Sequence, residues 1–216
     1  MTKFNYFFNA LTHGEKQIIR TLNTPVKIQG FLDKIPYSSE PVYRCPLRVI
    51  HDRLAHCFDG ALFAAAALYL NGYPPLILDM IPNDRDDDHL LALFKHDGYW
   101  GAVAKSNFSG LRYREPVFRN LRELVLSYFE QYYNVAGEKT LRGYTVPLNL
   151  IRYDKSGWMV NNETMDVIAQ RLDEIRRYSL LTPKMIAGLA AVDERLYNAG
   201  LSGADKSGLF RPPGDW

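Results

Sequence analysis

The sequence predicts an α+β domain in which helices flank an antiparallel sheet. Residues 56–72 are apolar around nearly the whole circumference of a helix, so that helix must be enclosed by protein on every side. A short apolar run from Leu76 to Met80 follows, then two more runs separated by the turn signal His96-Asp97-Gly98. Helical patterns stand before and after this block, giving the order helices, sheet, helices.

Taken in order, Ile18, Ile19 and Leu22 mark a first helix reaching about Leu22. Thr24-Pro25 is a start signal, with the hydroxyl at the cap and the ring at the first helical position. The second helix runs through Ile28, Phe31 and Leu32. Pro36 to Pro46 reads as irregular chain crossing the surface just before the central helix. That helix ends at Asn71-Gly72, and Pro74-Pro75 prevents its return. Asn83 to Asp88 is a charged loop. His89 to Lys95 and Tyr99 to Ser106 form a hairpin. Pro116 opens an amphipathic helix with Val117, Leu121, Leu124, Val125, Tyr128 and Tyr132 on one face. Thr140 to Tyr153 gives one or two strands. Glu163 to Tyr178 and Pro183 to Tyr197 read as helices, and Gly200 to Trp216 as irregular.

The chain has 216 residues and a formal net charge of +2, with 47% hydrophobic and 23% charged residues. That length fits one domain with room for a real core. A charge so near neutral argues against nucleic acid or an anionic membrane as partner. No apolar run reaches a membrane span, and no signal peptide is visible. With two cysteines, Cys45 and Cys57, there is no disulfide framework, so a reducing, cytoplasmic setting is expected.

Cys57 opens the central helix. A helix N-terminus supplies unpaired N–H donors and partial positive charge, both of which favour a thiolate. The Cys57 N–H also lies where an oxyanion would form. A second oxyanion donor is expected from Tyr43 to Arg53. Asp59, in the first helical turn, opposes a thiolate, so its orientation matters. His56 neighbours Cys57 in sequence, points elsewhere, and reads as a local hydrogen-bonding residue. The base is His89, on the border between the Asp86-Asp87-Asp88 loop and an apolar strand. A thiol, a distant imidazole and a distant amide outline a nucleophile, its base and the base's orienter.

The third member depends on the hairpin register. A two-residue turn at Asp97-Gly98 puts His89 opposite Ser106; a three-residue loop puts it opposite Lys105, with Asn107 on the same face. Asn107 is favoured, because its side-chain oxygen accepts an imidazole N–H, with Ser106 behind it. Lys105 reads as topping the strand or pairing with the aspartate loop. The three aspartates read as a solvated loop, and the chemistry calls for no metal and no cofactor.

In these features the chain resembles the transglutaminase-like branch of the papain-like superfamily. The likeness rests on Cys57 in Cys-Phe-Asp-Gly-Ala, the apolar helix with its Asn-Gly ending, the strand Leu76 to Met80, His89 opening the next strand, and Asp97-Gly98-Tyr99-Trp100. It is strongest over residues 45–110, with residues 160–216 as a helical extension of a single domain. The resemblance implies a papain/transglutaminase-like core, with the nucleophile at the head of a buried helix packed on an antiparallel sheet. It also implies that Cys57 is the nucleophile and His89 the base. The family usually ends its third strand with an Asp, whereas here the stretch is Ala104-Lys105-Ser106-Asn107. The expected activity is thiol-dependent acyl transfer on a peptide or protein amide: a peptidase, amidase, isopeptidase or transglutaminase. The missing Asp motivates an alternative, a catalytically inactive domain binding a peptide or partner protein in the same cleft.

Overall fold

A computed structural model describes residues 5–211. The chain begins with α1 (Asn5–Ala10), α2 (His13–Thr21), α3 (Pro25–Lys34) and α4 (Pro46–Asp52), then enters the central helix α5 (Cys57–Leu70). The strands β1 (Leu76–Pro82), β2 (His89–His96), β3 (Tyr99–Val103) and β4 (Arg114–Phe118) follow. After α6 (Leu121–Leu126) come β5 (Leu141–Thr145), β6 (Leu148–Asn149), α7 (Glu163–Glu174) and β7 (Arg177–Ser179). The helices α8 (Pro183–Ala187) and α9 (Glu194–Gly200) and a single 3₁₀ turn at Lys206–Gly208 complete the described chain.

The described strands form one sheet in the order β4-β3-β2-β1-β5-β7, with β6 also paired to β1, and every pairing is antiparallel. The architecture is therefore α+β, as the sequence predicts. The central strand β2 is buried on both faces and alternates between two cores. Leu90, Ala92 and Phe94 pack with α5 and the early helices, while Leu91 and Leu93 pack on the opposite face with Leu124, Tyr128 and Tyr132.

Enclosure of α5 is complete from Cys57 to Leu68. Asn71 closes it by donating to the carbonyls of Ala67 and Leu22, and Gly72 takes the left-handed conformation (φ +89°) that ends the helix. The helix also lies unusually near the chain leaving β3. A Cβ on Gly60 would overlap the Lys105 Cβ and stand 3.1 Å from its Cγ, so only glycine allows this approach.

Several boundaries differ from the sequence reading. Pro116 lies in β4, not at the start of a helix; β4 is an edge strand, where a residue lacking an N–H breaks no ladder. The helix begins instead at Leu121, capped by the Asn120 side chain accepting the Glu123 N–H. Pro46 opens α4, with Pro at its first turn. The stretch 163–178 is split into α7 and β7, and 183–197 into α8 and α9. Among the described residues no helix is long and apolar enough to cross a membrane. Residues 212–216, within the stretch read as irregular, lie outside the described residues.

Candidate active site

Cys57 is the first residue of α5, and His56 is its N-cap, as its local role predicts. The His56 Nδ1 accepts the Phe58 N–H at 3.2 Å, while the Asp59 carboxylate accepts the His56 N–H at 3.3 Å. This reciprocal cap ties the Asp59 carboxylate to the His56 backbone at the head of the helix. Asp59 also accepts the Arg44 N–H at 2.7 Å and faces the Arg44 guanidinium at 3.7 Å. Burial pushes its pKa up to about 7, against the pull of these Arg44 and His56 contacts. Burial likewise lowers His56 to about 4, with the nearby Arg44 adding to it, so the cap is neutral.

The Cys57 Sγ lies 3.8 Å from the Asp88 carbonyl oxygen, to which it donates. Cys57 is 7% exposed, whereas Cys45 is fully buried; both are free thiols. Burial pushes the Cys57 pKa well above its ordinary value, and the carboxylates of Asp87, Asp88, Asp59 and Asp79 push it further. Cys57 therefore rests as a thiol, not a thiolate. Burial of Asp79, with the neighbouring Asp88 charge adding to it, raises its pKa well above the carboxylate range, so Asp79 is held protonated. Among the described residues no group of three or more His, Cys, Asp or Glu side chains is arranged to hold a metal ion.

His89 opens β2 and is 5% exposed. Its Nε2 lies 2.7 Å from the Leu111 carbonyl oxygen. A carbonyl can only accept, so Nε2 carries the proton and Nδ1 of the neutral ring holds the free lone pair. Burial lowers the pKa of His89 to about 4, with Arg114 adding to it and the Leu111 bond working against it. His89 is thus neutral near pH 7. Cys57 and His89 line one small cavity of about 50 Å³, together with Tyr37, Leu111 and Tyr132. On the other side of Cys57 a cleft of about 660 Å³ opens between Tyr43, Phe58, Asp88 and Asp173.

Neither expected orienter engages His89. The hairpin has a two-residue turn, with Asp97 at φ +48° and Gly98 at φ +85°, and His96 pairs with Tyr99. That register would set His89 opposite Ser106, but the ladder stops at Ala92 and Val103. The Ser106 hydroxyl instead accepts the Phe108 N–H at 3.0 Å. The Asn107 carboxamide pairs with Asp205: it donates to the Asp205 carbonyl at 2.7 Å and accepts the Asp205 N–H at 2.8 Å. The position expected for Asn107 or Ser106 is filled by the main-chain carbonyl of Leu111. Lys105 neither tops the strand nor pairs with the aspartates. Its buried ammonium donates to the carbonyls of Leu32 (2.8 Å) and Ile35 (2.6 Å), closing the end of α3, and burial lowers its pKa to about 8.

Tyr37 is a site residue that the sequence reading passed over. It lines both the cleft and the small cavity beside Cys57, and burial raises its pKa. Tyr37 is positioned by a parallel bridge to Ala55, two residues before α5. The irregular stretch from Pro36 to Pro46 was the available signal, since it leads towards the helix that begins at Cys57. Arg44 pins that stretch. It forms ion pairs with Glu40 and, at 3.3 Å, with Asp52, and donates to the Ser38 hydroxyl at 3.1 Å.

No family model matches the sequence, and no curated protein matches it. Among solved structures the chain is similar to Legionella pneumophila LapG, with a TM-score of 0.35 and 16% identity; the match covers 43% of this chain and 61% of that one. It is similar to the EGTA-treated form of LapG at the same TM-score and identity, over 43% of this chain and 59% of that one. The chain therefore spans about three-fifths of the length of the structures it matches.

Proposed function

We propose that the protein is a cysteine-dependent acyl-transfer enzyme acting on amide bonds of peptides or proteins, in the manner of a transglutaminase-like cysteine peptidase. One observation carries this reading: a helix-head thiol shares a cavity with a neutral histidine whose tautomer is fixed by the Leu111 carbonyl. In the proposed reaction the Cys57 proton passes to His89 Nδ1 as Sγ attacks the amide carbonyl carbon. The resulting oxyanion is received by the Cys57 N–H and the Tyr37 hydroxyl. Collapse breaks the C–N bond, and His89 returns the proton to the leaving amine. Water then attacks the thioester, giving up its proton to His89, and the acid and the free thiol are released. Hydrolysis is the default outcome because water reaches an open cleft; a bound amine in place of water would give transfer. In this scheme the Leu111 carbonyl does the work of the missing Asp, because an acceptor at Nε2 is all that the orienting role requires.

The second reading is a non-catalytic domain that binds a peptide in the same cleft. It is favoured by the burial of Cys57 and the carboxylates around it, which hold the thiol protonated. Two measurements separate the readings. A fluorogenic peptide library should be cleaved by the wild-type protein and left intact by Cys57→Ala, and mass mapping after iodoacetamide should find Cys57 labelled ahead of Cys45. Equal, slow labelling of both thiols together with no cleavage would abandon the enzymatic reading.

A further inference from the structure

Resting on the proposed acyl-transfer site, we propose that residues 205–210 form a displaceable strap across the catalytic cleft, held on the subsite that receives the substrate's backbone. The contact with Asn107 is the first reason. Its carboxamide makes a donor–acceptor pair with the backbone N–H and C=O of Asp205. Such a pair reads main chain and ignores side chain, as a neighbouring β-strand does. An amide so placed suits any incoming peptide as well as Asp205.

The second reason is Gly208. A Cβ there would stand 2.7 Å from Cδ1 and 3.1 Å from Cε1 of the Tyr37 ring, and 3.3 Å from the Asn107 Nδ2. Glycine is therefore required for the strap to lie flat on Tyr37, which lines the cavities beside Cys57. Beyond it, Leu209 and Phe210 line the 660 Å³ cleft with Cys57, and Phe210 also lines the cavity shared with His89.

The third reason is how little holds the strap. Among the described residues, its hydrogen bonds to the body of the protein are the two to Asn107. The rest are internal: the Asp205 carboxylate accepts the Ser207 N–H and hydroxyl, and the Gly208 N–H donates to the Asp205 carbonyl. This keeps Lys206–Gly208 in a turn, which cannot place an extended scissile bond at Cys57. The strap thus blocks without being cut. The substrate class that follows is a peptide able to pair with Asn107 in extended form, with a glycine over Tyr37.

The test reads thiol accessibility in the full chain, independent of turnover. Cys57 alkylation by iodoacetamide is timed by peptide mass mapping in the wild-type protein, Gly208→Ala and Asn107→Ala, with Cys45 as internal standard for an intact fold. Loss of this contact should speed Cys57 labelling by about tenfold in both variants while Cys45 stays unchanged. A synthetic peptide spanning residues 204–211, added in trans, should slow it again. Wild-type labelling rates in both variants would overturn the strap even if peptide cleavage is found. Faster labelling without any cleavage would uphold the strap and remove the enzymatic reading.

Discussion

Gly60→Ala tests the close approach of α5 to the sheet, because two effects of opposite sign meet there. In an ordinary helix interior the change stabilises by about 1 kcal/mol, since alanine has the higher helix propensity. In α5 the new methyl would overlap the Lys105 Cβ, with the Lys105 Cα only 3.4 Å away, so no flexible side-chain end can yield. Overpacking of this kind costs about 1–3 kcal/mol. Lys105 cannot move freely either, because its ammonium satisfies the Leu32 and Ile35 carbonyls at the end of α3. Pulling it away leaves buried acceptors bare, at a further cost of about 1–3 kcal/mol. Against the propensity gain, the variant should lose roughly 1–5 kcal/mol in urea unfolding, with a melting temperature lowered by roughly 2–20 °C for a chain of this size. Adding Lys105→Gly, which removes the obstructing Cβ, should make the double variant less unstable than the sum of the two singles. Gly60→Ala at or above wild-type stability would refute the argument, because the propensity gain would then have gone unopposed.

Arg44→Met should destabilise by about 3–5 kcal/mol, because it strips the counter-charge from the fully buried Asp59; urea unfolding of the single variant and of Arg44→Met with Asp59→Asn measures the coupling, and strict additivity would contradict the pairing. The pKa of His89 is about 4 when folded and near 6.5 when unfolded, so the unfolded state takes up its proton first and stability is lost as pH falls from 6.5 towards 4. Between pH 7 and pH 5 the wild-type protein should lose about 2 kcal/mol more than His89→Gln, and parallel stability curves for the two would contradict a buried, neutral ring.

The sequence was sufficient for whatever is written in local periodicity. The enclosed helix from Cys57, its Asn-Gly ending, the hairpin at Asp97-Gly98 and the capping role of His56 are each decided within a few residues. Pro116 misled because one residue type serves two local structures: it starts helices and it also suits an edge strand. The position of an edge is fixed only when the sheet has assembled. The candidate site divides in the same way. Cys57 and His89 stand out by residue type at element starts, but what surrounds them comes from distant chain. The acceptor for His89 is a main-chain carbonyl, which every residue carries and no pattern can single out. Asn107 looked like that acceptor until folding brought the Asp205 backbone to it, and Tyr37 gained its place beside the thiol through a bridge to Ala55. Composition set the burial of the helix that begins at Cys57; long-range packing decided which polar groups meet inside that burial, where an unpaired donor or acceptor is too costly to leave to chance.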